Sequence, residues 1–272
     1  MKTKFKALGN IIFYLVASFL VLIPGEYLWF KVLASNKAIG GWVSANTTMG
    51  ASLDYFLQIV VFYFLFKIVN KKNLFVECKF EKIGVNSIIF TALAGIFSGF
   101  FTGCFIYIPY IEKNIPAFGN IFVALFDQGS VISLLCFLVV GMVYKEILYR
   151  GIIFNQLKRL SPLVIAIILQ SVIYGATAFY SSMPLFIFGA MGSVVFVLLY
   201  IGLKSIWAPI IAQFTNLGSM FAARKMGSLI SAGHAYAYIL IVSGLALIAM
   251  MVYLWKNNKE VNVNVKEQTA SI

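Results

Sequence analysis

The chain has 272 residues, of which 61% are apolar and only 11% charged, whereas a soluble domain carries about a quarter charged residues. That balance excludes a disordered chain, a collagen-like chain and an ordinary soluble enzyme. The net charge of +12 would point to nucleic acid in a soluble protein, but here it reads as basic loops facing an inner leaflet, and no nucleic-acid partner is expected.

A spanning helix needs about 20 mostly apolar residues. Eight such runs occur in chain order, at 9–30, 51–68, 86–109, 129–152, 161–179, 184–203, 205–222 and 235–255. Long, continuously apolar runs favour helices over strands. The expected fold class is therefore all-α, a polytopic membrane bundle of about eight transmembrane helices. Lys2, Lys4 and Lys6 precede the first run as in a signal peptide, but the run reaches Trp29 and Phe30 without a small-residue cleavage site, so a retained helix is expected. Gly95, Gly99 and Gly103 recur every four residues in the third run, a small-residue stripe suited to close helix packing. The longer connections are 31–50, expected outside, and 69–85, expected inside.

Eight spans put both termini on one side. With the termini in the cytoplasm, fourteen Lys and Arg fall inside and five outside, while Lys145 and Arg150 lie within a helix. This bias supports cytoplasmic termini. Residues 1–255 form one expected membrane domain without internal repeats, and 256–272 form a polar tail expected to be disordered. Cys78, Cys104 and Cys136 are odd in number and lack metal-ligand spacing, so inert thiols are expected, with no disulfide and no bound metal. The single histidine, His234, precedes the last run and reads as a surface or interface residue.

Ionisable groups inside spans are costly and ask for a partner or a function. The densest cluster is KEILYRG, Lys145 to Gly151. Glu146 and Arg150 are four apart with the acid first, the favourable order for an ion pair on one helix face. Lys145 is rotated by about 100° from Glu146, and the bland reading has it snorkelling to the interface. Two further polar sets, Gln170, Ser171, Tyr174 and Thr177, then Gln213, Thr215 and Asn216, are suited to hydrogen bonds between helices.

These residues carry a resemblance. The run MVYKEILYRGIIFNQL resembles the first motif of the CAAX protease and bacteriocin-processing family of intramembrane proteases. QSVIYGATAF resembles its second motif, and FGAMGSVVFVLLYIGLKSIWAPIIAQFTNL its third region, in order and spacing. The resemblance covers about 125–220, the family's core. It implies an eight-helix fold in a bacterial plasma membrane. Active members carry Glu-Glu-x-x-x-Arg, Phe-x-x-x-His and His-x-x-x-Asn, with the first Glu and first His thought to activate water and the second His and Asn to form an oxyanion hole.

Against that pattern, the first Glu position is Lys145, while Glu146 and Arg150 match. Tyr174 takes the second motif's aromatic place and Ala178 its His position. Gln213 takes the third motif's His position, Leu217 stands four residues on, and Asn216 sits one residue early. Hydrolysis needs a base able to take a proton from water near neutral pH. Gln213 can donate one hydrogen bond to an oxyanion but cannot shuttle a proton. The resemblance thus implies a pseudoprotease with a binding cavity lined by Lys145, Glu146, Tyr174, Thr177, Gln213 and Asn216. No cofactor is expected. Expected partners are a membrane protein or peptide, namely a sensor kinase, a cell-wall enzyme or a bacteriocin-like peptide, giving a regulatory or immunity role. The alternative is an active endopeptidase using Glu146 as base and Gln213 with Asn216 as oxyanion donors. A small-solute transporter is the third class, whose inverted repeats and matched broken helices are not seen.

Overall fold

The computed structural model describes residues 2–127, 129–231 and 234–257. Among these residues, eight long helices follow the apolar runs: α1 (Lys2–Tyr27), α2 (Thr47–Val69), α3 (Val85–Phe105), α4 (Val131–Glu146), α5 (Leu163–Ala178), α6 (Met183–Leu203), α7 (Trp207–Lys225) and α8 (Ala235–Asn257). No strand occurs among the described residues. Among the described residues, six helical stretches are long and apolar enough to cross a membrane: Lys4–Leu33, Thr47–Val69, Val85–Phe105, Val131–Leu160, Met183–Leu203 and Ala235–Asn257. The fifth run folds as the shorter apolar helix α5, and the seventh as α7, whose Gln213, Asn216, Arg224 and Lys225 lower its hydropathy. The result is an all-α polytopic membrane protein. The expected tail falls mostly on 258–272, which lies outside the described residues.

Local chemistry sets the helix limits. Pro24 sits inside α1, where it removes a backbone donor, and a π-helical turn, Leu28–Leu33, continues that helix. The third run stops at Phe105, short of its expected end at 109, because Pro109 opens a separate short helix, Pro109–Asn114. Ser130 caps α4 by accepting from the Ser133 amide at 3.2 Å. Lys204 closes α6 in the left-handed region, with φ of 54°.

The chain divides into two compact units, Met1–Lys79 with Ile121–Arg159, and Phe80–Asn120 with Leu160–Ile272. In the first unit, α2 packs on α1 and on α4. Tyr14 meets the rings of Phe62 and Phe66, and Tyr55 stacks on Tyr144 at 4.6 Å between centroids. Such aromatic pairs add specific geometry to apolar burial.

In the second unit, α3 lies along α7 and α8, and α6 packs on α5, α7 and α8. Its core includes Ala94, Leu199, Ala208, Ala212 and Leu254. The glycine stripe does the work its spacing suggests. A Cβ on Gly95 would strike Thr215 and the Ala212 carbonyl, one on Gly99 the Asn216 carbonyl, and one on Gly103 would lie 2.6 Å from the Ala223 Cβ. Small residues let α3 and α7 approach at backbone distance, the source of cohesion where lipid offers no hydrophobic drive.

Candidate functional site

The first motif lies on one continuous helical stretch. α4 ends at Glu146, the backbone widens into a π-helix over Ile147–Phe154, and an α-helix resumes at Asn155–Leu160. Extended π-helix is rare and tends to mark functional or strained positions. All eight residues of the π stretch are buried. Glu146 and Arg150 are each 0% exposed, and Arg150 Nη1 donates to Glu146 Oε1 at 2.9 Å. The expected pair therefore forms inside a span, where a lone charge is strongly penalised.

Lys145 takes a direction that the spacing did not show. Its Nζ lies 5.4 Å from the centre of the Phe137 ring, two turns back along α4. Helical side chains lean toward the N-terminus, and an ammonium over a ring face is attracted by the ring quadrupole. The lysine thus leans back along α4 toward Phe137.

Gly151 has a packing reason. A Cβ there would strike the Cys78 thiol, which belongs to the connection between α2 and α3. That connection docks on the motif helix. Asn73 accepts from the Phe75 amide at 2.9 Å and caps a single turn, Leu74–Glu77. Asn155 Nδ2 donates to the Glu77 carbonyl at 3.0 Å, and Arg159 pairs with the Glu77 carboxylate. Burial, with Glu77 adding to it, pushes the Cys78 thiol far above its ordinary range, so it behaves as an apolar filler.

The second and third motifs lie in the other unit. On α5, Tyr174 meets Phe179 edge-on at 6.2 Å, and the Thr177 hydroxyl donates to the Ile173 carbonyl at 2.8 Å. Ala178 is the last residue of α5 and is exposed. About two turns earlier, Gln170 donates to Ser193 Oγ of α6 at 3.1 Å, both side chains being buried. On α7, Gln213 is buried and Leu217 half-buried. Asn216 Nδ2 donates to Ser98 Oγ of α3 at 2.9 Å. Thr215 donates back to the Ile211 carbonyl at 3.1 Å. The structure thus groups Lys145, Glu146 and Arg150 in one unit and Tyr174, Thr177, Ala178, Gln213, Asn216 and Leu217 in the other.

His234 is exposed, within 3.5 Å of the Tyr236 hydroxyl. Cys78 and Cys104 are buried free thiols, while Cys136 is half-buried and also free. Among the described residues, no three His, Cys, Asp or Glu side chains are placed to hold a metal ion.

One polar cluster escaped the sequence reading. Asp54 and Gln58 lie four apart on α2, both buried, inside a spanning helix. Ser18 Oγ donates to Gln58 Oε1 at 2.7 Å and lies 2.7 Å from the Tyr144 hydroxyl. The signal was an acid within the second apolar run, which by itself marks a candidate site in a membrane protein.

The helices and the buried motif define a polytopic membrane protein with a charged pair set inside one span. Residues 127–219, about a third of the chain, match the family model described as type II CAAX prenyl endopeptidase, Rce1-like. Over that segment, which holds all three motifs, the chain is similar to that family. No curated protein and no solved structure matches the chain.

Proposed function

We propose that the chain is a non-catalytic member of its family, a pseudoprotease that binds a membrane protein or peptide partner without cutting it. The observation that carries this reading is the state of the first motif. Its one remaining carboxylate, Glu146, is committed to Arg150 at 2.9 Å with both groups fully buried, and its neighbour is a lysine held over Phe137. A general base must reach a water and take its proton. A carboxylate buried against a guanidinium is turned to its partner and away from an attacking water. The substitutions at Ala178, Gln213 and Leu217 remove the imidazoles and the amide that would share the work. Losing a base and its partner together removes most of a catalytic factor.

The active-endopeptidase alternative needs Asn216 as an oxyanion donor. One of its amide hydrogens goes to Ser98 of α3, which ties the side chain to that helix. The cation that stands at position 145 in place of a carboxylate favours a partner segment bearing a carboxylate or carbonyl groups. The candidate partners are a sensor kinase, a cell-wall enzyme or a bacteriocin-like peptide in the same bacterial plasma membrane, which would make the protein a regulator or an immunity factor.

The test is co-purification from native membranes followed by intact-mass analysis. The expected result is a stoichiometric partner of full length. A partner recovered only as fragments cut at one position, and intact in a Glu146→Ala strain, would contradict the proposal.

A further inference from the structure

Asp54 lies on α2, seven residues from its start. It is 6% exposed, and neither carboxyl oxygen has a hydrogen-bond or ion-pair partner among the described residues. Its place against α1 depends on Gly25, since a Cβ there would strike the carboxyl group, whose Cγ would be 2.8 Å away. Glu26, next in the chain and exposed, brings a second carboxyl within electrostatic reach of Asp54. One of the two acids is exposed and the other buried.

One turn along α2, Gln58 is 0% exposed, and its Nε2 has no partner among the described residues. Ser18 gives its single hydrogen to Gln58 Oε1, so the Tyr144 hydroxyl donates to Ser18. Hydroxyls donate or accept, so this relay also runs in reverse. With the amide turned over, Nε2 donates to Ser18, Ser18 donates to Tyr144, and Gln58 Oε1 becomes the unused group. The cluster then offers three buried oxygens, two from Asp54 and one from Gln58.

An ionised carboxylate in a span must be neutralised by a proton or a cation. A proton on Asp54 would neutralise that group alone and leave the Glu26 charge beside it without a counter-charge. A small cation answers both carboxylates and can take the Gln58 oxygen as a further ligand, because carboxylate and amide oxygens are hard ligands for hard ions. We propose that Asp54 and Gln58, with Glu26 at the rim, form an intramembrane site for a small monovalent cation, either an alkali ion or a primary ammonium. This site lies outside the family-matched segment, apart from Tyr144, and does not depend on whether the protein cleaves peptides.

The test uses the full-length protein in detergent at constant pH and ionic strength, with N-methylglucamine chloride as the background salt. Sodium, potassium or methylammonium chloride replaces it stepwise while intrinsic fluorescence reports Tm. One of the three should raise Tm saturably by about 3 °C or more, which also separates the alkali-ion source from the amine. Asp54→Asn should abolish the rise, and Glu26→Gln should shift its midpoint to higher concentration. If Asp54→Asn does not fold, the midpoint in Glu26→Gln decides instead. A wild-type Tm indifferent to all three cations assigns the compensation to a proton and overturns the proposal. An equal response in wild type and the deciding variant overturns it too.

Discussion

The helical stretch around residues 145–160 and the α3–α7 contact solve the same problem by opposite means. In the first, buried charge is balanced within the element, Arg150 answering Glu146, while Glu77 of the docked turn accepts from Asn155 through its carbonyl and pairs with the more exposed Arg159. In the second, side chains are removed until backbones touch, at Gly95, Gly99 and Gly103. The first region therefore fails when a charge loses its partner, the second when an atom is added. Motif residues take part in both, Arg150 in one and Asn216 in the other.

The sharpest way to break that contrast is Arg150→Ala. It leaves Glu146 buried without its guanidinium and should cost about 3–5 kcal/mol, seen as loss of folded yield and a lower Tm. The double variant Glu146→Gln/Arg150→Met should recover most of the loss, because removing both partners removes the penalty. An unchanged Tm for Arg150→Ala would show that the pair does not support the fold. Next in size is Gly99→Val, which drives a side chain into the Asn216 backbone and should cost about 1–3 kcal/mol or more. Gly218, on α7 itself, has open space around its Cβ position, so Gly218→Ala should be neutral or stabilising by up to about 1 kcal/mol. Equal effects at the two glycines would refute the close-contact account.

Smaller effects sharpen the same picture. A double-mutant cycle on Gln170 and Ser193 should return about 0.6–1.7 kcal/mol of coupling, the range for hydrogen bonds between spanning helices. Zero coupling would make that bond decorative. Ala178→His should change stability by no more than about 0.5 kcal/mol, since Ala178 is exposed at a helix end. A large loss would mean that this position is packed.

Most of the architecture was legible in the order of residues because long apolar runs leave the backbone no option but helix. The glycine spacing pointed to the α3–α7 contact, and the four-residue offset of Glu146 and Arg150 pointed to their pair. What escaped depends on partners distant in sequence or on local backbone form. Nothing in the KEILYRG run shows that the helix widens to a π-helix after Glu146. The docking of the Leu74–Glu77 turn on Asn155 needs a match across about eighty residues. Ser98 as the partner of Asn216 was equally hidden. Asp54 was overlooked for another reason: averaging hydropathy over the second run absorbs one acid among many apolar residues. The division into two compact units has no composition break to announce it.

The central claim is that this scaffold holds its first-motif carboxylate for cohesion and has lost the hydrolytic groups. Incubating the purified full-length protein with prenylated CAAX peptides and tagged membrane peptides, beside a Glu146→Ala control, measures this most directly. The account predicts no cleavage above the control by mass spectrometry. Products that appear with the wild type and vanish with Glu146→Ala would contradict it.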